Sequence, residues 1–551
     1  IGLDTYAAYM EGQDQDYESE INTVLFDASG NPNGVTTSVV GKNTTPSRYK
    51  YLGSQWQTYN FVGQADYDNT FEKSNIKASL IAAVNQSVNP GQYNTYNRLR
   101  LAAYMHYGYD DKYFVDGVFT VNGSNLLPES NRYGYFPSLS AGWIASNEAF
   151  LKDVKAVNLL KIRASAGITG NDMLPSGAHN LETQYFGGKG GAIFGDSYSG
   201  YGGLGELRLQ SSNLTYEKTY KYNVGVDASL LNMFDVTVDV FMHKTRDILV
   251  NTSGTTSAVL GLTPDYYNLD QFLPYENIGA VDNKGIELGL NFHKTINELT
   301  MSAGGNFTFT RNKIIEMGEG YYPNEAAKQT GKSVGQPIGY QVLGLFKDAA
   351  EIAGSPTQIL YPVVPGDFKY ANTYGNDAVV DSYDRVALGY STLIPEINYS
   401  FNVGAEYKGF GIDAMFQGVG NYSAYLLNNS QYKPLVNNGN LSQLYYENRW
   451  TAENPDAKYP RLTMNTNDNN YVVNSTWIAD ASFLKLRHCE VYYKMPQSWL
   501  SSIKLEAVKL YLRGTDLLTI DKIKDVDPES FRTSSLYPSI SSINIGAKID
   551  F

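Results

Sequence analysis

Runs of about ten residues in which every second side chain is apolar recur along the chain, each followed by a connection rich in Gly, Asn, Asp and Ser. Side chains alternate across a strand and repeat every 3.6 residues around a helix, so this period predicts strands. Over 285–293, Ile286, Leu288, Leu290 and Phe292 fall on one face, and Glu287, Gly289, Asn291 and His293 on the other. Over 299–310 the apolar set is Leu299, Met301, Ala303, Phe307 and Phe309, opposed by Thr300, Ser302, Asn306, Thr308 and Thr310. Lys294 to Glu298 is short enough to join these two runs as a hairpin. The same alternation places Val236, Val238, Val240 and Met242 opposite Asp235, Thr237, Asp239 and Phe241. It also places Ile397, Tyr399, Phe401, Val403, Ala405 and Tyr407 opposite Asn398, Ser400, Asn402, Gly404, Glu406 and Lys408. A tight Lys408-Gly409-Phe410-Gly411 turn then leads to Ile412, Ala414 and Phe416.

The non-apolar face decides the setting. A soluble sandwich buries one face of each sheet and covers the other with many Lys and Glu, whereas here one face is greasy and the other small and polar. That combination fits a lipid-facing outside and a wet lumen. Tyr59, Phe61, Tyr67, Tyr107, Tyr109, Tyr407, Tyr492 and Tyr493 gather at strand ends, where interfacial aromatic girdles sit. Short connections alternate with long ones at 180–215, 250–275, 350–395 and 420–475, as between the two rims of an outer-membrane barrel. Ile543, Ile545, Ala547, Ile549 and Phe551 form a last alternating strand. Ile545, Ile549 and Phe551 resemble the C-terminal signal by which barrel-assembly machinery recognises its clients. The expectation is an all-β, antiparallel transmembrane barrel portion with long extracellular loops.

Composition agrees. Charged residues are 18% and aromatics 13% of 551 residues, with 45 Tyr and 51 Gly, which suits strands and turns better than long helices. A net charge of −13 disfavours a surface built to neutralise phosphates of nucleic acid. One cysteine, Cys489, rules out a disulfide framework, and five scattered histidines offer no metal or catalytic spacing. No stretch approaches the ~20 apolar residues of a membrane helix, a criterion that strands escape. The chain opens at Ile1 inside an alternating stretch without a signal peptide, as expected of a mature or truncated product.

Several blocks, in order, resemble the SusC/RagA family of TonB-dependent outer-membrane transporters. Arg132 to Trp143 with Glu148, Phe150 and Leu151 is similar to the family's FPSxSxGW...E.FL segment, and LKIRASAGITGN at 160–171 to its LKLRxSxGxTGN strand. Asn213, Leu214, Glu217 and Thr219, with Gly225, Asp227 and Leu230, resemble NPxLxWExT...GxD. Asn277, Ile278 and Gly279 followed by Asn283, Lys284, Gly285, Ile286 and Glu287 resemble NxGxxxNKGIE. The segments 448–461, 477–496 and 508–520, and then Asp527, Pro528, Glu529, Tyr537 and Pro538, match in turn. The resemblance implies a barrel of roughly 22 strands closed by a plug. It also implies a SusD-like surface lipoprotein as lid, TonB as energy source, and a glycan or peptide as cargo. This chain shows no plug segment and no TonB box, and its length corresponds to about 14 strands, so all of 1–551 is expected to be barrel wall and loops.

Other features carry less. Gly187-Gly188-Lys189-Gly190-Gly191 lacks the spacing of a phosphate loop and suits a mobile connection. The segment after Gly366-Asp367, with Asp381 and Asp384, preserves parts of a calcium loop whose central spacing is broken, so no cofactor is expected. Over 482–493 the apolar parity changes between Leu486 and Cys489, which a β-bulge near Arg487-His488 would explain. Cys489 is then a small lipid-facing or packed residue, and His488 a lumenal polar one. Asp235, Asp239, Glu287, Glu406, Lys408, Lys509 and Arg513 are solvated wall charges or partners of a plug. Tyr198, Tyr201, Tyr266, Tyr267, Tyr422, Tyr445 and Tyr446 are loop aromatics that would suit either a sugar or a partner protein. No set of residues points to catalysis. Active nutrient import is the function expected, with an adhesin or a barrel hydrolase as alternatives.

Overall fold

The computed structural model describes residues 2–26, 32–88, 95–173, 184–194, 199–208, 210–251, 274–375, 377–428, 432–435, 440–464, 468–501, 505–523, 526–531 and 538–551. Sixteen strands form one hydrogen-bonded sheet whose order follows the chain. They are β1 (Gly2–Asp14), β2 (Ser47–Phe71), β3 (Ser74–Val88), β4 (Tyr96–Tyr109), β5 (Tyr113–Ser124), β6 (Tyr133–Ile144), β7 (Val157–Asn171) and β8 (Glu217–Leu230). The rest are β9 (Phe234–Asn251), β10 (Tyr275–Ile296), β11 (Leu299–Glu316), β12 (Ile397–Tyr407), β13 (Phe410–Gly420), β14 (Phe483–Lys494), β15 (Ala507–Asp521) and β16 (Ser542–Asp550). Sixteen exceeds the fourteen expected from length because strands are unevenly spent. Eleven are complete by Glu316, and the remaining chain puts long stretches into connections.

The chain folds as two compact units. One comprises Ile1–Asp66, Ser79–Ala103 and Thr120–Tyr135. Within it β1 runs antiparallel to β2, from Gly2 opposite Asn60 to Asp14 opposite Ser47, and Ser19–Phe26 pairs with Pro32–Val40 as a separate hairpin. The other comprises Tyr67–Ala78, Tyr104–Phe119 and Phe136–Phe551.

In this second unit the expected hairpins form with tighter turns. Ile296 lies opposite Leu299, so only Asn297 and Glu298 turn, and Lys294 to Ile296 extend β10. Tyr407 lies opposite Phe410, leaving Lys408 and Gly409 as the two turn residues. Both have positive φ, 49° and 86°, as the primed hairpin turns require, and a Cβ on Gly409 would stand 2.5 Å from the Lys494 carbonyl oxygen. The predicted bulge is present. Leu486 is followed in register by His488 on both sides of β14, so Arg487 is the extra residue. Facing it, β15 also steps from Leu518 to Thr515, leaving Asp516 and Leu517 outside the ladder. Cys489 sits between Ala414 and Gly514, half-buried.

The glycine run at 187–191 falls in a strand within the connection between β7 and β8: Gln184–Phe194 pairs antiparallel with Ser199–Arg208, with a register shift between Gly187 and Gly191. Its flanking Tyr and Phe favour the extended chain.

The connections 317–396 and 421–482, with parts of 522–541, fold together into a cap with its own core. Phe368, Tyr370, Val380, Leu426, Leu427, Tyr445, Tyr459, Trp477 and Phe531 are buried in it. The Tyr459 and Trp477 rings stack at 5.7 Å and 6°, and Tyr445 stacks on Tyr459 at 4.9 Å and 13°.

Candidate functional site

Two parts of the second unit concern function: the inner face of its strands and the cap above them. Alternation places Val240 and Asp239 on opposite faces of β9, and their exposures are 56% and 7%. On β14 the neighbours Val491 and Glu490 stand at 50% and 3%. Val224, Leu288, Leu290, Phe401, Val403, Ile412, Leu510, Leu512, Ile543 and Ile545 are likewise exposed on the apolar face. At their partial exposure, a dozen such side chains left in water would cost about 10 kcal/mol, comparable to the whole stability of a folded domain. A hydrocarbon surround removes that cost.

The opposite face carries charges in pairs. Arg163 on β7 reaches across β8, giving Nη1 and Nη2 to the Asp239 carboxylate at 2.6 Å each and Nε to Asp227 at 3.0 Å. Gly225 makes this crossing possible, since a Cβ there would lie 2.6 Å from the guanidinium carbon. Glu490 is held by Lys509 at 2.5 Å and by Arg513 at 2.6 Å, and Glu406 accepts from Lys494 at 2.6 Å and Tyr492 Oη at 2.8 Å. Of the other wall charges noted in the sequence, Asp235 accepts from the Ser229 hydroxyl at 2.5 Å and Lys408 pairs with Glu298 at 3.2 Å across the turns. Pairing of this kind lets carboxylates and guanidinium groups sit half-buried on a wall without the penalty of an isolated charge.

The cap is pinned to this wall by a buried cation. Lys485 on β14, 1% exposed, donates to Asp527 at 2.8 Å, Glu529 at 2.7 Å and Ser539 Oγ at 3.1 Å. Arg487, the bulged residue, donates to Gln417 and Asp516, each at 2.9 Å, and pairs with Glu529. Burial alone would raise the Asp527 and Glu529 carboxyls; the hydrogen bonds from Lys485, Arg487 and Ser539 outweigh it and hold both below the usual carboxylate range.

Inside the cap, Asp367 is fully buried and accepts from Arg461 Nε at 2.8 Å, Asn470 Nδ2 at 2.9 Å and Val364 N at 2.9 Å. Gln358 donates to Asn469 Oδ1 at 2.8 Å and accepts from Tyr370 N at 2.6 Å, and Trp477 Nε1 donates to the Asn470 carbonyl at 2.7 Å. Burial pushes the Tyr370 and Tyr445 hydroxyls well above the usual phenol range. A cavity of about 360 Å³ opens in the cap, lined among others by Glu319, Tyr322, Gln329, Arg385, Tyr425 and Asn428.

The residues singled out in the sequence divide accordingly. Asp384 accepts from the Thr373, Tyr374 and Asp381 amides, and Asp381 caps the short turn at 382–384, so neither joins Asp367 around a cation. Among the described residues no cluster of His, Cys, Asp or Glu is arranged for a metal. Tyr422 and Tyr445 are core residues of the cap and cannot meet a ligand, whereas Tyr446 is exposed with Arg449 over its ring at 3.7 Å. Tyr198, Tyr266 and Tyr267 and the side chain of Tyr201 lie outside what is described. Ile545, Ile549 and Phe551 are exposed along and just beyond β16. Lys485 and Arg163 were not singled out; their signal was a basic residue on the polar face of an alternating strand.

Residues 3–406 match the family model for the TonB dependent receptor-like β-barrel. The chain belongs to that family. TonB-dependent receptor P3 of Formosa agariphila is 26% identical over 475 residues, covering 81% of this chain and 45% of the relative. TonB-dependent receptor SusC of Bacteroides thetaiotaomicron is 24% identical over 471 residues, covering 81% and 43%. The chain thus spans about half the length of the curated relatives it matches. A solved structure of the RagAB peptide transporter covers 100% of this chain and 62% of its own, with a TM-score of 0.71 at 18% identity, which establishes the fold. The SusC/RagA resemblance stands, and the strands are those of a β-barrel family of the outer membrane, a family of receptors rather than enzymes.

Several motif blocks acquire contacts. In LKIRASAG and GxD, Arg163 meets Asp227 past Gly225. In WExT and NxG, Glu217 accepts from Leu249 N at 3.1 Å, and Asn277 bonds both the amide and the carbonyl of Thr215. In LKLR and DPE, Lys485 and Arg487 meet Asp527 and Glu529.

Proposed function

We propose that the chain forms barrel wall and extracellular cap of a TonB-dependent importer that takes up a glycan or peptide too large for passive diffusion. The observation that carries this is the inverted wall, apolar outward and ion-paired inward, joined to a cap with a buried aromatic core of its own. No residue on the wall is required to do chemistry. The paired carboxylates and cations line a wet passage, and the cap supplies fixed surface around its 360 Å³ cavity where a polar cargo is first met. The relatives named SusC and RagAB support this class of activity. A SusD-like lipoprotein would sit on the cap as a lid. The plug and the segment that contacts TonB would lie outside residues 1–551, because all of the large sheet's strands in this chain are wall. Ile545, Ile549 and Phe551 are proposed as the segment that assembly machinery engages, and Phe551→Ala should lower outer-membrane levels of the protein.

The test is deletion of the encoding gene, followed by growth on single oligosaccharides or peptides as sole nutrient, with complementation in the presence and absence of TonB. Growth lost on one nutrient and restored only with TonB supports import. Unchanged growth on every nutrient with loss of surface binding would point to an adhesin instead.

A further inference from the structure

Just beyond the apolar band, on the same outward face, the second unit carries a groove of about 500 Å³. Its position follows from register. Lys284 lies opposite Arg311 and Asp282 opposite Lys313, two and four residues past the pair Ile286 and Phe309 that closes the apolar stripe of β10 and β11. Met242, exposed on the outward face of β9, lines the groove where it meets that band. Past Ile397, where β12 begins, the edge of β11 is taken by the segment 331–334. Ile314 N donates to the Lys332 carbonyl and Gly331 N to the Ile314 carbonyl, each at 2.8 Å, while Val334 N donates to Asn312 Oδ1 at 2.7 Å. Lys332 is thereby held beside β11 through its backbone, and it lines the groove together with Lys284 and Lys313.

The charges of the groove do not cancel. Glu396 is occupied by Arg311, through Nε and Nη2 at 2.7 Å each, and Asp282 by Arg246 at 2.6 Å. Among the described residues no carboxylate pairs with Lys284, Lys313 or Lys332. Three lysines without a paired carboxylate therefore line one outward groove in a chain whose net charge is −13. Exposed Tyr390 and Ile315 complete a wall that is apolar at its edges.

We propose that this groove binds the net-anionic phosphate head group of a membrane lipid, one with no ammonium of its own, whose acyl chains run down the Phe309, Leu288 and Phe307 face. A phosphate satisfies several ammonium groups at once, and only a lipid brings it to a site continuous with hydrocarbon. The inference rests on the outer-membrane placement of the wall and adds a specific lipid site to it.

The test uses the natural full-length chain purified from outer membranes in a maltoside detergent. Its melting temperature is followed with dihexanoyl phosphatidic acid, dihexanoyl phosphatidylcholine or inorganic phosphate. Phosphatidic acid should raise it by a few degrees, phosphatidylcholine should leave it unchanged, and inorganic phosphate should need at least about tenfold more for the same rise. The triple variant K284Q/K313Q/K332Q, which keeps the Arg311–Glu396 and Arg246–Asp282 pairs, should lose the response, and K313Q alone should weaken it. No response from a parent protein that fractionates with the outer membrane would overturn the lipid site and leave the import proposal intact. Equal potency of inorganic phosphate, or an unchanged response in the triple variant, would also overturn it. A parent protein absent from the outer membrane would overturn both.

Discussion

In the cap, Trp477, Tyr459 and Tyr445 stack out of reach of solvent, and the polar groups buried with them are bonded within the cap: Asp367 to Arg461 and Asn470, Asn469 to Gln358, and Asn474 to the Tyr370 hydroxyl. On the wall, Val240 and Val491 are exposed while Asp239 and Glu490 beside them are buried. The cap obeys the rule of a water-soluble core, and the wall reverses it within one continuous chain. The reversal shows that the solvent differs between the two: water surrounds the cap, and hydrocarbon surrounds the wall with water on its inner side.

The junction of the two regions is where the largest effect is expected. Lys485→Ala leaves Asp527 buried without its cation and Glu529 with Arg487 alone, at a cost of about 3–5 kcal/mol. The segment 526–531 should detach, read as new proteolytic cleavage between Lys522 and Ser541 with the wall still resistant. Within the cap, Asp367→Ala strands Arg461, Asn470 and the Val364 amide and should cost about 3 kcal/mol, seen as an earlier loss of Trp477 burial by fluorescence in denaturant. On the wall, Leu290→Arg should cost about 2–4 kcal/mol, whereas Asn291→Arg, one residue on and facing inward, should be nearly neutral. Equal costs for the two would abolish the distinction between faces. Gly225→Ala displaces the Arg163 guanidinium and should cost about 1–3 kcal/mol in heat-modifiability experiments.

The smallest effect is that of mild acid. The Asp527 and Glu529 carboxyls are held below their unfolded values, so their contribution is complete above the ordinary carboxylate range, about pH 4, and is lost as pH falls through the depressed folded values. Resistance of the 522–541 connection to protease should therefore stay flat from pH 8 to pH 5 and fall only in stronger acid. A change between pH 6 and pH 7 would show that another group pins the cap.

Most of the wall was legible in the sequence, because alternation over Ile286 to Phe292 or Ile397 to Tyr407 is a local property that a single strand displays. Even the bulge at Arg487 announced itself, as a switch of parity between Leu486 and Cys489. The cap was not legible. Its bonds join Gln358 to Asn469 and Asp367 to Arg461, about a hundred residues apart, and amides in an irregular stretch look the same whether they meet solvent or each other. For that reason Tyr422 and Tyr445 read as loop aromatics open to a ligand, while both are core. The inner-wall pairs lay between these extremes: the motif residues Arg163, Gly225 and Asp227 were visible, but their meeting depends on the register between β7 and β8.

The most direct measurement compares Leu290→Trp with Asn291→Trp in bilayers of brominated phosphatidylcholine, each read against the parent protein's fluorescence. Strong quenching of the added tryptophan at position 290 and little at 291 is the predicted result. Equal quenching at both positions, or the reverse order, would contradict an apolar face in lipid and a charged face in water.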